Sequence, residues 1–444
     1  MTERYWLETL GCPKNQVDSE KLAGTLRSEG YSPALGPEDA DLVVVNTCAF
    51  IEAARQESVD TILELASARR AGARLVVTGC MAERYGAELA SALPEVDLVA
   101  GFGVPVALRA RNGSSVRNGG PKADPAPVVI PVPEFDLLNL PRPATTVPWA
   151  YVKVAEGCDR RCGFCAIPSF RGKQRSRPEA EILGEVEALG EAVREVVLVA
   201  QDLASWGRDR SGAPDSLRLA RRRGEARPIV DLVRRVSESV ERVRLLYLYP
   251  SSLDDELVQA IVDTGVPYFD LSLQHVSRPL VERMRRWGEA DRFLKRIAAI
   301  RACAPDAALR SSFILGYPGE TESDHDRLLE FLAEAQLDWA GFFTFSEESG
   351  TFAAGLREAV PAELALERLR ECSEAQDAIT ADRRAALVGT TMRVLVDEPG
   401  TARSYREAPE IDGVVHVPAA LAVGSVHDVT AASAAGPDVW AAGA

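Results

Sequence analysis

Three times in the first hundred residues, a short apolar run ends in a cysteine and is followed by a stretch with helical periodicity. "YWLETLGC", "DLVVVNTC" and "RLVVTGC" end at Cys12, Cys48 and Cys80, and "QVDSEKLAGTLRSEG", "IEAARQESVDTILELASARR" and "AERYGAELASAL" follow them. Repeated strand-helix units build a parallel, doubly wound sheet, because right-handed crossovers return each strand beside an earlier one. Residues just past the carboxyl ends of the strands then line one edge of the sheet, where such folds bind ligands. The three cysteines are thus expected to converge, although 36 and 32 residues separate them. One such cysteine alone is more often a small buried hydrophobe; three at the same topological position are hard to explain by packing.

Three further cysteines, Cys158, Cys162 and Cys165, fall within "VAEGCDRRCGFCAIPSFRGKQRSRP" at a C-x3-C-x2-C spacing. Tetrahedral zinc usually takes two close pairs of Cys or His, and the second pair is missing: the histidines are His275, His325, His416 and His427, none paired at ligand spacing. A disulfide framework fits poorly with 444 residues, eight cysteines and a start, "MTERYWLETLG", that lacks an apolar secretory segment. No run approaches membrane-spanning length. Reduced thiols in the cytoplasm are expected, and there a thiolate triad favours an iron-sulfur cluster. Three thiolates hold three irons of a 4Fe-4S cube and leave the fourth open for a ligand.

This loop resembles that of the radical S-adenosylmethionine enzymes, including an aromatic, Phe164, just before the last cysteine. The resemblance implies that the open iron chelates the methionine moiety of S-adenosylmethionine and that one electron cleaves its sulfonium to an adenosyl radical. From "WAYVKVAEGC" onward, strand-like runs ("EVVLVAQD", "RVRLLYLYP", "YFDLSLQH", "ALRSSFILGYPGE", "WAGFFTFS") alternate with helices, which predicts a parallel α/β barrel, complete or partial, with functional groups at the strand carboxyl ends. Gln201 and Asp202 end one such strand, Gln274 another, Arg310 and Ser312 lie in a third, and Gly316 and Gly319 follow it. In enzymes of this type, such positions bind the cofactor; each residue is equally readable as an ordinary structural one. Cys303 and Cys372 read as core.

The whole chain resembles the radical S-adenosylmethionine methylthiotransferases, on "LGCPKNQVDSE", "GCDRRCGFCAIPSFRGKQRSRP", "LGYPGET" and a C-terminal region of short strands separated by Gly and Pro turns. The implied organisation is a doubly wound N-terminal domain over 3–118, a Pro- and Gly-rich linker over 119–143, a radical core over 144–378 and a small antiparallel barrel of the TRAM type over 379–444. It also implies a second 4Fe-4S cluster on Cys12, Cys48 and Cys80, and an electron donor such as flavodoxin or ferredoxin. One branch of the family modifies adenosine in transfer RNA; the other modifies the β-carbon of an aspartate in protein twelve of the small ribosomal subunit. A non-catalytic iron-sulfur module is a further alternative.

"REAPEIDGVV" and "LSLQHVS" resemble the ribosomal-protein branch. Charge points the same way. The formal net charge of -15 argues against avid, non-specific nucleic-acid binding. From Val388 onward three basic residues (Arg393, Arg403, Arg406) face seven acidic ones (Asp397, Glu398, Glu407, Glu410, Asp412, Asp428, Asp438). Glu407, Glu410 and Asp412 are therefore expected to steer a cationic partner. Trp287 stands where the resemblance leads one to expect proline, and the Arg-rich stretch near 216–228 looks inserted.

Overall fold

The computed structural model describes residues 2–104, 106, 137–210 and 227–443, so most of the linker reading and of the Arg-rich stretch lies outside the described residues. The chain divides into two compact units, Met1–Pro143 and Ala144–Ala444.

The first unit is built on β1 (Arg4–Thr9), α1 (Pro13–Ser28), β2 (Ser32–Pro33), β3 (Leu42–Thr47), α2 (Glu52–Ala68), β4 (Arg74–Gly79), α3 (Cys80–Ala92) and β5 (Leu98–Ala100). All pairings are parallel, in the order β2-β1-β3-β4-β5. β3, "LVVVNT", is buried at every residue, as expected of a central strand covered on both faces. The cysteine-bearing strands β1, β3 and β4 are immediate neighbours, which is what brings their three carboxyl ends together. Residues 137–142 pack on α1: Leu137 joins the core there, Lys21 Nζ donates to the Leu138 carbonyl at 2.7 Å, and Arg142 pairs with Glu20.

The second unit begins with six parallel strands: β6 (Trp149–Lys153), β9 (Glu195–Val199), β10 (Arg242–Leu245), β11 (Tyr268–Gln274), β12 (Ala308–Leu315) and β13 (Trp339–Thr344), with a two-residue hairpin of β7 (Ala155–Glu156) and β8 (Arg175–Ser176) beside the first. They form two three-stranded sheets joined by a parallel bridge from Leu248 to Leu271. The barrel is therefore partial. Alternate residues such as Val152, Val196, Leu198, Leu245, Phe269, Leu309 and Phe313 pack under the surrounding helices. The intervening positions, among them Lys153, Glu195, Arg244, Asp270, Gln274, Arg310 and Ser312, face the interior, because strand side chains alternate. Charged and polar side chains thus share the barrel interior with Tyr151, Val197 and Val199.

The C-terminal strands β14 (Thr391–Glu398), β15 (Thr401–Arg403), β16 (Val415–His416), β17 (Val426–Ala435) and β18 (Asp438–Ala441) close a small barrel in the order β14-β15-β16-β18-β17. Every pair is antiparallel except β16 with β18, which run parallel. This barrel covers the amino-terminal mouth of the six-stranded one. Glu195 accepts from Arg403 at 3.0 Å and from Arg244 at 2.6 Å; Tyr151 Oη donates to the Pro409 carbonyl at 2.9 Å; and Asp412 accepts from Arg310 at 3.3 Å and Tyr268 at 2.6 Å. Burial pushes the Glu195 carboxyl up, but Arg244, Arg403 and Arg242 pull harder and hold it down at about 2.

This arrangement corrects the expectation of a steering surface. Glu407 is fully buried and lies 2.6 Å from Arg384, and the Asp412 side chain is 2 % exposed. Two of the three carboxylates named for steering are committed inside the protein; Glu410 alone is at the surface. Counting charges along a segment misleads when their partners lie outside it. Cys372 is buried as expected, but Cys303 is exposed at the end of the helix Ala290–Cys303.

Candidate active site

In the first unit, Cys12 caps α1, Cys48 follows β3, and Cys80 is the first residue of α3. Two glycines allow this approach. Gly11, at φ +95°, lies so close to Cys48 that an added Cβ would come within 2.8 Å of the cysteine's own Cβ. Gly79, at φ +90°, would place one 2.2 Å from Asn46 Oδ1. Asn15 ties the three loops together: its Nδ2 donates to the carbonyls of Leu10 at 2.9 Å and Thr47 at 3.0 Å, and its Oδ1 accepts from the Cys80 thiol at 3.6 Å. Sequence reasoning missed Asn15, whose signal was its place three residues after a cysteine at a helix start.

Gly79→Ala tests this packing. The clash and the left-handed backbone together are expected to cost about 2 kcal/mol or more and to displace Cys80, read as a lower urea midpoint. Gly30→Ala, also at positive φ but with nothing within 4 Å, is the control and should cost less.

The second triad lies in the loop held by the β7–β8 hairpin. Gly157, at φ +77°, packs against the Lys173 carbonyl, and Cys158 N donates to Gly172 O at 3.1 Å. The Gly163 N–H donates to Met284 O at 2.7 Å and its carbonyl accepts from Ala353 N at 2.8 Å, so the Cys162–Cys165 turn is gripped from both sides. Glu156, just before the loop, accepts from Lys153 at 2.7 Å, Arg171 at 2.8 Å and Gln201 at 2.7 Å. Burial pushes this carboxyl up, yet Arg171 and Lys153 hold it well below the ordinary range. Asp202 accepts from Arg160 Nε at 2.6 Å and from Ser205 Oγ at 2.7 Å. Gln201 and Asp202 thus brace residues flanking Cys158.

Of the other candidates, Gln274, at φ +72°, reaches the Ser312 carbonyl at 3.5 Å across β11 and β12, and Phe164 packs beside Leu280, Met284 and Tyr317. Arg310 lies in the amino-terminal half of β12, where it donates to Asp270 and Asp412. Gly316 and Gly319 have positive φ, but the space a Cβ would take is filled by Ala365 and Arg283, so their close approaches are to the protein itself.

Burial pushes the Cys158 thiol up to about 11 and Cys165 to about 12, so metal binding must displace protons there. Among the described residues, no three His, Cys, Asp or Glu groups converge on a single metal ion. A cube suits such wider triads, since each thiolate binds its own iron. Two all-sulfur triads on loops, one with Cys12 and Cys80 at helix amino termini where partial positive charge favours an anionic cluster, fit iron-sulfur clusters.

One residue past β11, His275 is buried, and its Nδ1 accepts from Ser277 N at 3.0 Å. Burial pushes its pKa down to about 4; nearby Asp324 opposes this, and His325 and Arg368 reinforce it. A histidine buried neutral contributes stability in full above its unfolded pKa near 6.5, and that contribution is lost as pH falls through about 4. His275→Gln is therefore expected to flatten the loss of stability between about pH 7.5 and about pH 5 by about 2 kcal/mol, read from urea midpoints at both pH values. No helix among the described residues is long and apolar enough to cross a membrane.

Residues 4–101 match the family described as Uncharacterized protein family UPF0004, residues 152–332 the Radical SAM superfamily, and residues 388–442 the TRAM domain. Proteins named Ribosomal protein uS12 methylthiotransferase RimO are similar over nearly the whole length. That of Moorella thermoacetica is 41% identical over 92% of this chain and 91% of its own, that of Cutibacterium acnes 40% over 98% and 97%, and that of Chloroflexus aurantiacus 37% over 98% and 99%. Among solved structures, the radical S-adenosylmethionine methyltransferase TsrM from Kitasatospora setae aligns with a TM-score of 0.50 at 13% identity, covering 85% of this chain and 89% of that one, a likeness of fold.

Proposed function

The chain belongs to the family of ribosomal protein uS12 methylthiotransferases, radical S-adenosylmethionine enzymes with a TRAM domain, and from that premise we propose that it transfers a methylthio group to the β-carbon of an aspartate in ribosomal protein uS12. S-adenosylmethionine and one 4Fe-4S cluster come with the radical superfamily. In the reading proposed here, Cys158, Cys162 and Cys165 hold that cluster, and Cys12, Cys48 and Cys80 hold a second. The observation that carries this reading is the pair of separate cysteine triads, each on loops beyond strands of a parallel sheet.

The chemistry requires a cluster that, when bound and reduced, supplies the electron that cleaves the sulfonium, because an unactivated C–H bond does not yield to acid-base groups. The work of the chain itself is orientation. Glu156 and Asp202 hold Lys153, Arg171, Gln201 and Arg160 around the Cys158 loop, so the loop is preformed. Asn15 does the same for the other triad. Gln274 and Ser312, on adjacent strands facing the barrel interior, are proposed as polar contacts for the S-adenosylmethionine, and Phe164 as an apolar wall.

The test is an anaerobic reaction of the iron-loaded enzyme with S-adenosylmethionine, a chemical reductant and purified uS12. Formation of 5'-deoxyadenosine together with a methylthiolated aspartate in the tryptic digest is expected. Cofactor cleavage without modification of uS12, alongside thiomethylated adenosine when transfer RNA is supplied, would contradict the proposed substrate.

A further inference from the structure

Arg286 is placed by its turn rather than by a helix. It follows the helix Arg278–Arg283, and its N–H donates to the Val281 carbonyl at 2.9 Å, after Arg285 has taken a left-handed φ of +54°. One end of its guanidinium donates to the sulfur of Cys162 at 3.1 Å, and the other donates to the Ser272 carbonyl. Its Cζ lies over the ring of Tyr249, 4.3 Å from the centroid. Arg160 lies over the same ring at 3.9 Å, but its charge is taken up by Asp202. No carboxylate among the described residues pairs with Arg286. The same turn also holds the cysteine loop through Gly163 N and Met284 O, so guanidinium and sulfur are fixed by one piece of backbone.

We infer that Arg286 is a positioning residue that sets how readily the core cluster accepts its electron, by donating a charged hydrogen bond to the sulfur of Cys162; this rests on the proposed function, in which that sulfur is a cluster ligand. Each electron added to a cluster increases the negative charge on its sulfurs. A cation hydrogen-bonded to one of them therefore interacts more strongly with the reduced form than with the oxidised form, and the reduction potential rises. The fork geometry explains why the residue is arginine: lysine can carry the charge to the sulfur but cannot hold Ser272 and Cys162 at once while stacking on a ring. A merely structural arginine would leave the potential alone.

The experiment uses the full-length protein with Cys12, Cys48 and Cys80 replaced by Ala, so that one cluster remains, and follows a redox titration by electron paramagnetic resonance. In that background Arg286→Met is expected to shift the reduction equilibrium tenfold or more toward the oxidised cluster, about 59 mV for a one-electron couple. Arg286→Lys should shift it in the same direction by less. Arg285→Met, whose guanidinium lies over Phe352 instead, should leave it in place. Should Arg286→Met take up no iron, Arg286→Lys decides by the same criterion. An unchanged potential in the Arg286 variants that load overturns the inference while the cluster assignment stands. A parent protein with no reducible cluster overturns the assignment itself.

Discussion

Replacing Cys158, Cys162 and Cys165 together with alanine is expected to reduce cleavage of S-adenosylmethionine to background, whereas replacing Cys12, Cys48 and Cys80 should leave cleavage in place and stop methylthiolation. The two triads belong to separate compact units, so losing one leaves the other's supports intact: Glu156, Gly157 and the β7–β8 hairpin for the core loop, Asn15 and Gly79 for the other. Iron should fall by half in either triple variant, from about eight to about four per chain if each triad holds one cube. Deoxyadenosine release and uS12 modification, measured side by side, separate the roles. An N-terminal triple variant that still modifies uS12 would remove the second cluster from the account.

Glu195→Ala is expected to destabilise the second unit by about 3–5 kcal/mol. The carboxylate is fully buried between Arg244 and Arg403, themselves at most 2 % exposed. Truncating it leaves Arg244 without its carboxylate partner among the described residues, while Arg403 keeps Asp397 and the Glu407 carbonyl. Because its folded pKa is depressed to about 2, the Glu195 contribution is complete above the unfolded value of 4.5 and is lost only as pH falls through about 2. The full effect should therefore appear at neutral pH, as a lower guanidinium midpoint. Glu398→Lys, at the exposed surface of the same barrel, should change the stability by less than about 0.5 kcal/mol. A Glu195→Ala loss no larger than that of Glu398→Lys would mean that the two barrels are joined by apolar packing rather than by this network.

The parallel sheet around Cys12, Cys48 and Cys80 was legible because strand-cysteine-helix recurs three times, and a repeated local pattern has one simple three-dimensional solution. The central barrel was legible for the same reason, from the alternation of apolar strands and amphipathic helices. Partner choice among charges was not. Arg310 lies in the strand before "GYPGE", and nothing in that stretch shows its pairing with Asp270 and Asp412. Glu407 and Asp412 looked like surface because acidic residues usually are; here Arg384 and Arg310, 23 and 102 positions away, take them inside. Asn15 passed unremarked because an asparagine near a helix start is ordinary, and its importance comes from two loops that sequence separation hides.

Intact-mass analysis of uS12 from cells with and without this enzyme tests the proposed reaction most directly. The account predicts that uS12 from cells containing the enzyme carries one methylthio addition, localised by fragmentation to the β-carbon of a single aspartate. That addition should disappear when the gene is removed, and return on complementation with the wild-type chain but not with the Cys158, Cys162 and Cys165 triple variant. Identical uS12 masses in the two strains would contradict it.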